Sequence, residues 1–159
     1  MDVLWEYHAE LGPVILAHEG TLERFTGDGM MVFFNDPVVV PNPEERAVRM
    51  AIAARDRIAA LQTQWRKRGY NLGLGCGITA GYATIGAIGF EGRRDYAAIG
   101  SVPNLAARLC DHAEPGQILV SQRLFSAVET IVEGEAIGEI SFKGFHRPLQ
   151  TYNIRRLKV

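Results

Sequence analysis

Two runs rich in apolar and β-branched residues face each other across Gly27-Asp28-Gly29, and this constrains the chain more than any other stretch of its 159 residues. The first run is Thr21-Leu22-Glu23-Arg24-Phe25-Thr26 and the second is Met30-Met31-Val32-Phe33-Phe34. Glycine tolerates positive φ and aspartate accepts a tight turn, so the pattern predicts a β-hairpin over 21–35. Its tip is a carboxylate on a rigid two-strand element, a geometry that suits a hard cation such as Mg²⁺. Most Asp-Gly pairs only turn the chain, and the stretch by itself favours that plainer reading.

The flanking sequence fills in around the hairpin. Leu4, Tyr7, His8, Leu11 and Ile15 recur at helical spacing, predicting a helix over 2–18 that Pro13 kinks or interrupts. After a proline-bracketed loop, residues 43–68 read as the longest helix, with Ala47, Met50, Ala51, Ala54, Ile58 and Leu61 as its apolar stripe. Its basic tail, Trp65-Arg66-Lys67-Arg68 before Gly69, fits cations at a helix C-terminus better than a nucleic-acid patch. Leu72, Leu74, Cys76 and Ile78 alternate with small residues, as a strand does, and Tyr82–Ile85 reads as a second strand. A phosphate-cradling loop in this glycine-rich region is weakened by the lack of a Gly-Lys-Ser/Thr ending. Phe90–Asp95 is expected to be a polar turn and Tyr96–Ile99 a strand.

Ser101-Val102-Pro103-Asn104 opens the next helix, with proline in its first turn. Asn104 and Arg108 lie four residues apart on one face, and Leu105 and Leu109 on the other. By spacing alone the polar pair is a solvated helix side. A turn at Glu114–Gln117 leads to a strand at Ile118–Val120, a helix capped by Ser121 that runs through Val128, and a last strand pair at 135–142 and 150–156. The expected class is α+β, a mainly antiparallel sheet covered by helices, in a single domain spanning 1–159.

A net charge of −1 gives no global electrostatic reason to bind nucleic acid or an acidic membrane. Two cysteines, Cys76 and Cys110, make no disulfide framework, so a reduced, cytoplasmic setting is expected. No apolar run is long enough to cross a bilayer, and the N-terminus lacks the basic region of a signal peptide. Because the chain opens inside a helical pattern, further residues are expected upstream. His8, His18, His112 and His146 show no metal spacing and read as surface or helix-face residues.

The motifs Arg24-Phe25-Thr26-Gly27-Asp28-Gly29, Asp95-Tyr96-Ala97-Ala98-Ile99-Gly100, Asn104-Leu105-Ala106-Ala107-Arg108-Leu109 and Lys143-Gly144-Phe145 occur in that order and span most of the chain. With the element order, they resemble the catalytic domain of class III adenylate/guanylate cyclases, of bacterial type. The resemblance implies a ferredoxin-like antiparallel sheet with flanking helices, and cyclisation of ATP, or GTP, to the 3′,5′-cyclic nucleotide and pyrophosphate. It implies two Mg²⁺ or Mn²⁺ ions carried by two aspartates, of which Asp28 matches the second. Asn104 matches the asparagine that orients the ribose, Arg108 the arginine that stabilises charge on the α-phosphate, and Lys143 the lysine that reaches the terminal phosphates. It further implies a homodimer whose sites lie at the interface, Asp28 of one copy facing Asn104, Arg108 and Lys143 of the other, with a regulatory domain elsewhere in the parent protein.

Three departures from the family follow. The first metal aspartate, on an opening strand in an Asp-hydrophobic-x-Gly-Phe-Thr context, has no counterpart, and Asp2 starts a helix instead. The domain is therefore read as N-terminally truncated, its opening strand absent, and the 159-residue chain as catalytically dead, rearranging or recruiting a neighbour to cover unpaired strand edges. The base-reading positions align with Gly73 and Ala97, whose side chains neither donate nor accept a hydrogen bond. Backbone groups would then read the base, or discrimination would be poor. Ser101 and Pro103 replace a common Asp and Val, a change a helix start tolerates. The alternative to an enzyme is a non-catalytic cyclase-like module for dimerisation or nucleotide sensing.

Overall fold

The computed structural model describes residues 2–26, 29–35, 39–81, 84–90, 93–99 and 101–158. Helix α1 (Asp2–Ala17) precedes a hairpin, β1 (Thr21–Thr26) and β2 (Gly29–Phe33), and the long helix α2 (Pro43–Lys67). Then come β3 (Cys76–Ile78), β4 (Thr84–Phe90), β5 (Arg93–Ile99), α3 (Ser101–His112), β6 (Ile118–Ser121), α4 (Gln122–Val128), β7 (Val132–Ile140) and β8 (Leu149–Leu157). The α+β class expected from the sequence holds. The hairpins β1-β2 and β4-β5 are antiparallel, while β3, β6, β8 and β7 form a four-stranded sheet in that order. That sheet is mixed, because β3 pairs with β6 in parallel. A parallel neighbour comes from a distant part of the chain, so local alternation could not reveal it.

Both faces of the four-stranded sheet are covered. Ile118 and Val120 of β6 and Ile154 of β8 join Val48 and Ala51 of α2 and Leu124 and Val128 of α4 in one buried cluster. Leu119, the residue between Ile118 and Val120, points the other way into a cluster with Leu109 of α3 and Phe142. A strand buried on both sides reads as a continuous apolar run, and Ile118-Leu119-Val120 is one. A further cluster of Leu11, Val14, Ala54, Ile58 and Trp65 joins α1 to α2.

Several boundaries differ from expectation. α1 continues through Pro13, with Leu11 and Val14 buried on either side of it. α2 buries Val48 and Trp65 beyond the expected stripe. The Trp65 indole donates to Glu6 Oε2 at 2.7 Å and Arg68 to the same oxygen at 2.9 Å, tying the two helices together. Chiefly that indole hydrogen bond, and then Arg68, hold the Glu6 carboxyl below its usual range. β3 begins only at Cys76, because the carbonyls before it are taken elsewhere. Leu72 O accepts from Gln62 Nε2 at 2.8 Å and Leu74 O from Gly116 N at 2.7 Å. The turn expected over 90–95 is shorter, since Phe90 and Arg93 already pair across β4 and β5. β7 starts at Val132 and ends at Ile140, leaving Phe142 free to turn inward as a buried residue.

Candidate active site

The helix carrying Asn104 and Arg108 is placed by glycines it does not itself contain. Residues 75, 77, 79 and 81 alternate along the β3 segment, and each meets α3 or its C-terminal end. A Cβ on Gly77 would lie 2.5 Å from Cys110 N and 2.7 Å from Leu109 Cβ, and would collide with Ala106 O. A Cβ on Gly75 would lie 3.1 Å from Ala113 O, and one on Gly81, at φ +148°, 2.9 Å from Val102 Cγ2. Between these glycines, Thr79 Oγ1 donates to Val102 O at 2.7 Å and fixes the first turn of α3. The opposite face of β3 carries Cys76 and Ile78, which pack with the α2 cluster. Burial there pushes the Cys76 thiol up to about 12, and the nearby Cys110 adds to the effect. Small residues on one face and larger ones on the other therefore let two helices approach one short strand at different depths.

Leu109 is buried under α3, with Leu105 packed beside it. Helical geometry then turns Asn104, Ala107, Arg108 and Asp111 to the opposite face. The second wall comes from the turn after β7. Phe142 is buried, Phe145 is half-buried against the same cluster, and Phe145 N donates to Phe142 O at 3.1 Å. Gly144 sits at φ +92°, the left-handed region a non-glycine residue resists. Two aromatic anchors thus hold Lys143 and His146 at the exposed side of the turn.

The two walls enclose an open cavity of about 410 Å³, lined by Asn104, Arg108 and Asp111 on α3 and by Lys143, Phe145 and His146 on the turn. Three residues named from the sequence, Asn104, Arg108 and Lys143, thus come together although up to 39 positions separate them. Arg108 supplies a planar fork of donors and Lys143 a mobile ammonium, a set apt for an anionic, phosphate-bearing ligand.

The described part of the cavity lining includes none of the other named residues. Gly73 is not among the residues lining the cavity. It sits where an added Cβ would come 2.5 Å from Pro115 Cβ and 2.9 Å from Gln62 Nε2, so its missing side chain makes room for the 113–117 turn. Ala97 is on β5, paired opposite Gly86. Asp28 lies outside the described residues, between the paired ends Thr26 and Gly29. Among the described residues no three His, Cys, Asp or Glu gather as a metal-holding group, and none of their helices is long and apolar enough to cross a membrane.

Sequence reasoning missed Asp111 and His146. Asp111 was findable as the i+7 partner of Asn104 on the polar face. His146 carried no signal, because only the Phe142 and Phe145 anchors aim that turn at α3.

Comparison with known proteins gives a consistent result. Residues 2–156 match the model of the adenylate and guanylate cyclase catalytic domain. Adenylate cyclase 1 of Rhizobium meliloti is 29% identical over 96% of this chain, and an uncharacterized protein of Mycobacterium tuberculosis 32% identical over 84% of it. The chain spans 23% of the length of each of these two curated relatives. Among solved structures, the adenylyl cyclase CyaB from P. aeruginosa superposes with a TM-score of 0.89 at 38% identity, covering 96% of this chain and 80% of that one. The guanylyl cyclase Cya2 gives the same TM-score at 27% identity, covering 99% and 80%.

Proposed function

Since the chain belongs to the adenylate and guanylate cyclase catalytic-domain family, we propose that its cavity holds a purine nucleoside triphosphate and serves its conversion to a 3′,5′-cyclic nucleotide for intracellular signalling. The reading rests on one observation: Asn104, Arg108 and Lys143 line the same cavity. In the reaction the ribose 3′-oxygen bonds to the α-phosphorus, the bond from that phosphorus to the bridging oxygen breaks, pyrophosphate leaves and the hydroxyl proton is released. Positioning and charge neutralisation carry such a transfer. Asn104 orients the ribose, the Arg108 guanidinium bears on the α-phosphate, and Lys143 holds the terminal phosphates. Asp28 would hold Mg²⁺ or Mn²⁺, which when bound lowers the pKa of the attacking hydroxyl and neutralises phosphate charge.

ATP is favoured over GTP, because the adenylyl cyclases compared share more identity with this chain than Cya2 does. The cavity is open on the protein surface, its polar residues exposed, which fits a homodimer in which a second copy brings its Asp28 against them. Of the two metal aspartates only Asp28 has a counterpart in these 159 residues. The chain alone is therefore read as inactive in cyclisation, and that same feature favours the second reading, a nucleotide-binding or dimerisation module without turnover.

Calorimetric titration of ATP with Mn²⁺ tests the site. Binding that weakens in Arg108→Ala and Lys143→Ala supports it, and binding unchanged in both overturns it. Assay of an N-terminally extended version separates enzyme from module, and cyclic nucleotide formed by the 159 residues alone would refute the inactivity. Sedimentation tests the dimer, and an active monomer would remove it.

A further inference from the structure

We infer that His146 is a second phosphate-binding residue of the turn wall, donating from its imidazole to the terminal phosphates beside Lys143. The inference deepens the nucleotide reading and rests on it. Two observations carry it. His146 lines the cavity together with Arg108 and Lys143. It is also exposed on a turn anchored at both ends, with Phe142 buried, Phe145 packed on the α3 cluster and Gly144 in the left-handed region between them.

The chemistry favours an extra donor here. A triphosphate, and still more the departing pyrophosphate, concentrates negative charge at its far end. The turn brings Lys143 to that end as a point charge on a flexible stem, which attracts but orients poorly. An imidazole N–H three residues on is a directed donor on a short side chain, and hydrogen bonds to charged acceptors are the stronger kind. Among the described residues lining the cavity, Asp111 is the one carboxylate, and it sits a turn beyond Arg108 on the helix wall. It repels phosphate from that stretch of α3 and leaves the turn as the better place for the anion's tail.

The test uses the 159-residue chain with two probes, inorganic pyrophosphate and AMP, measured by calorimetry. His146→Ala should weaken pyrophosphate binding about tenfold, the loss of one hydrogen bond to a charged group, and leave AMP binding unchanged. His146→Gln, which keeps a side-chain donor, should recover part of the loss. The His146 ring signals in an NMR spectrum should move on addition of pyrophosphate and stay still with AMP. Pyrophosphate binding as tight in His146→Ala as in the parent chain, while Lys143→Ala weakens it, overturns the role of His146 and spares the nucleotide site. No pyrophosphate binding at all, or binding indifferent to Arg108→Ala and Lys143→Ala, takes down the nucleotide reading and this inference with it.

Discussion

The two faces of β3 are held by opposite means. Toward α2 the strand presents Cys76 and Ile78 to a cluster of large, fully buried aliphatic residues. Toward α3 the strand presents Gly77, with Gly75, Thr79 and Gly81 in the segment on either side of it, and the helix comes down almost onto the backbone. The first contact is one of volume, which sets how stable the fold is and tolerates small adjustments. The second is one of distance, which sets where Asn104 and Arg108 stand. A protein that must aim two side chains at one ligand gains by placing their helix against backbone, since backbone has no rotamers through which to yield.

That contrast can be broken or sharpened by substitution. The largest stability loss is expected from Ile118→Ala on the α2 face, about 3 kcal/mol from lost burial and the cavity left behind. Chemical denaturation reads that loss, and ATP binding per folded molecule should stay near normal. Gly77→Ala comes next, at about 2 kcal/mol of overpacking. It should also weaken nucleotide binding in the molecules that remain folded, because Ala106 and Cys110 backbone must move away. Equal effects of the two variants on binding would erase the distinction between the faces. Thr79→Val keeps the shape and deletes the hydrogen bond to Val102 O, at a cost of about 1 kcal/mol. Its binding loss should exceed what so small a destabilisation explains.

The smallest effect belongs far from α3, at the Glu6–Trp65 contact. The Glu6 carboxyl is held below its usual range by the Trp65 indole and then by Arg68. A lowered folded value means the contribution is present above the ordinary carboxylate pKa and is lost as pH falls through the folded one. The parent chain should therefore exceed Glu6→Gln in stability at neutral pH and lose that margin as the pH falls below the ordinary glutamate range. Thermal melts at several pH values would show it. A margin that persists in acid would mean that the neutral hydrogen bond suffices.

Much of this architecture could be read along the chain. The β1-β2 hairpin, helices α1 to α4 and the Ser121 cap follow from local periodicity and turn chemistry, and Ser121 does accept from Leu124 N at 3.3 Å. The polar face of Asn104 and Arg108 was evident at i, i+4. The extent of β3 was not, because Leu72 and Leu74 continue its alternation while their carbonyls bond to Gln62 and Gly116 instead of a strand. Gly73 drew notice as a base-reading position, yet its surroundings give it a packing duty beside Pro115.

By itself the sequence determined which elements form and which residue types are available for phosphate chemistry, since helical and strand periods and turn preferences act over a few residues. Tertiary structure alone decided that α3 lies at backbone distance from β3 and that the Phe142–Phe145 turn faces it. Those choices depend on atoms dozens of positions apart meeting with no space between them, and no local pattern encodes that distance.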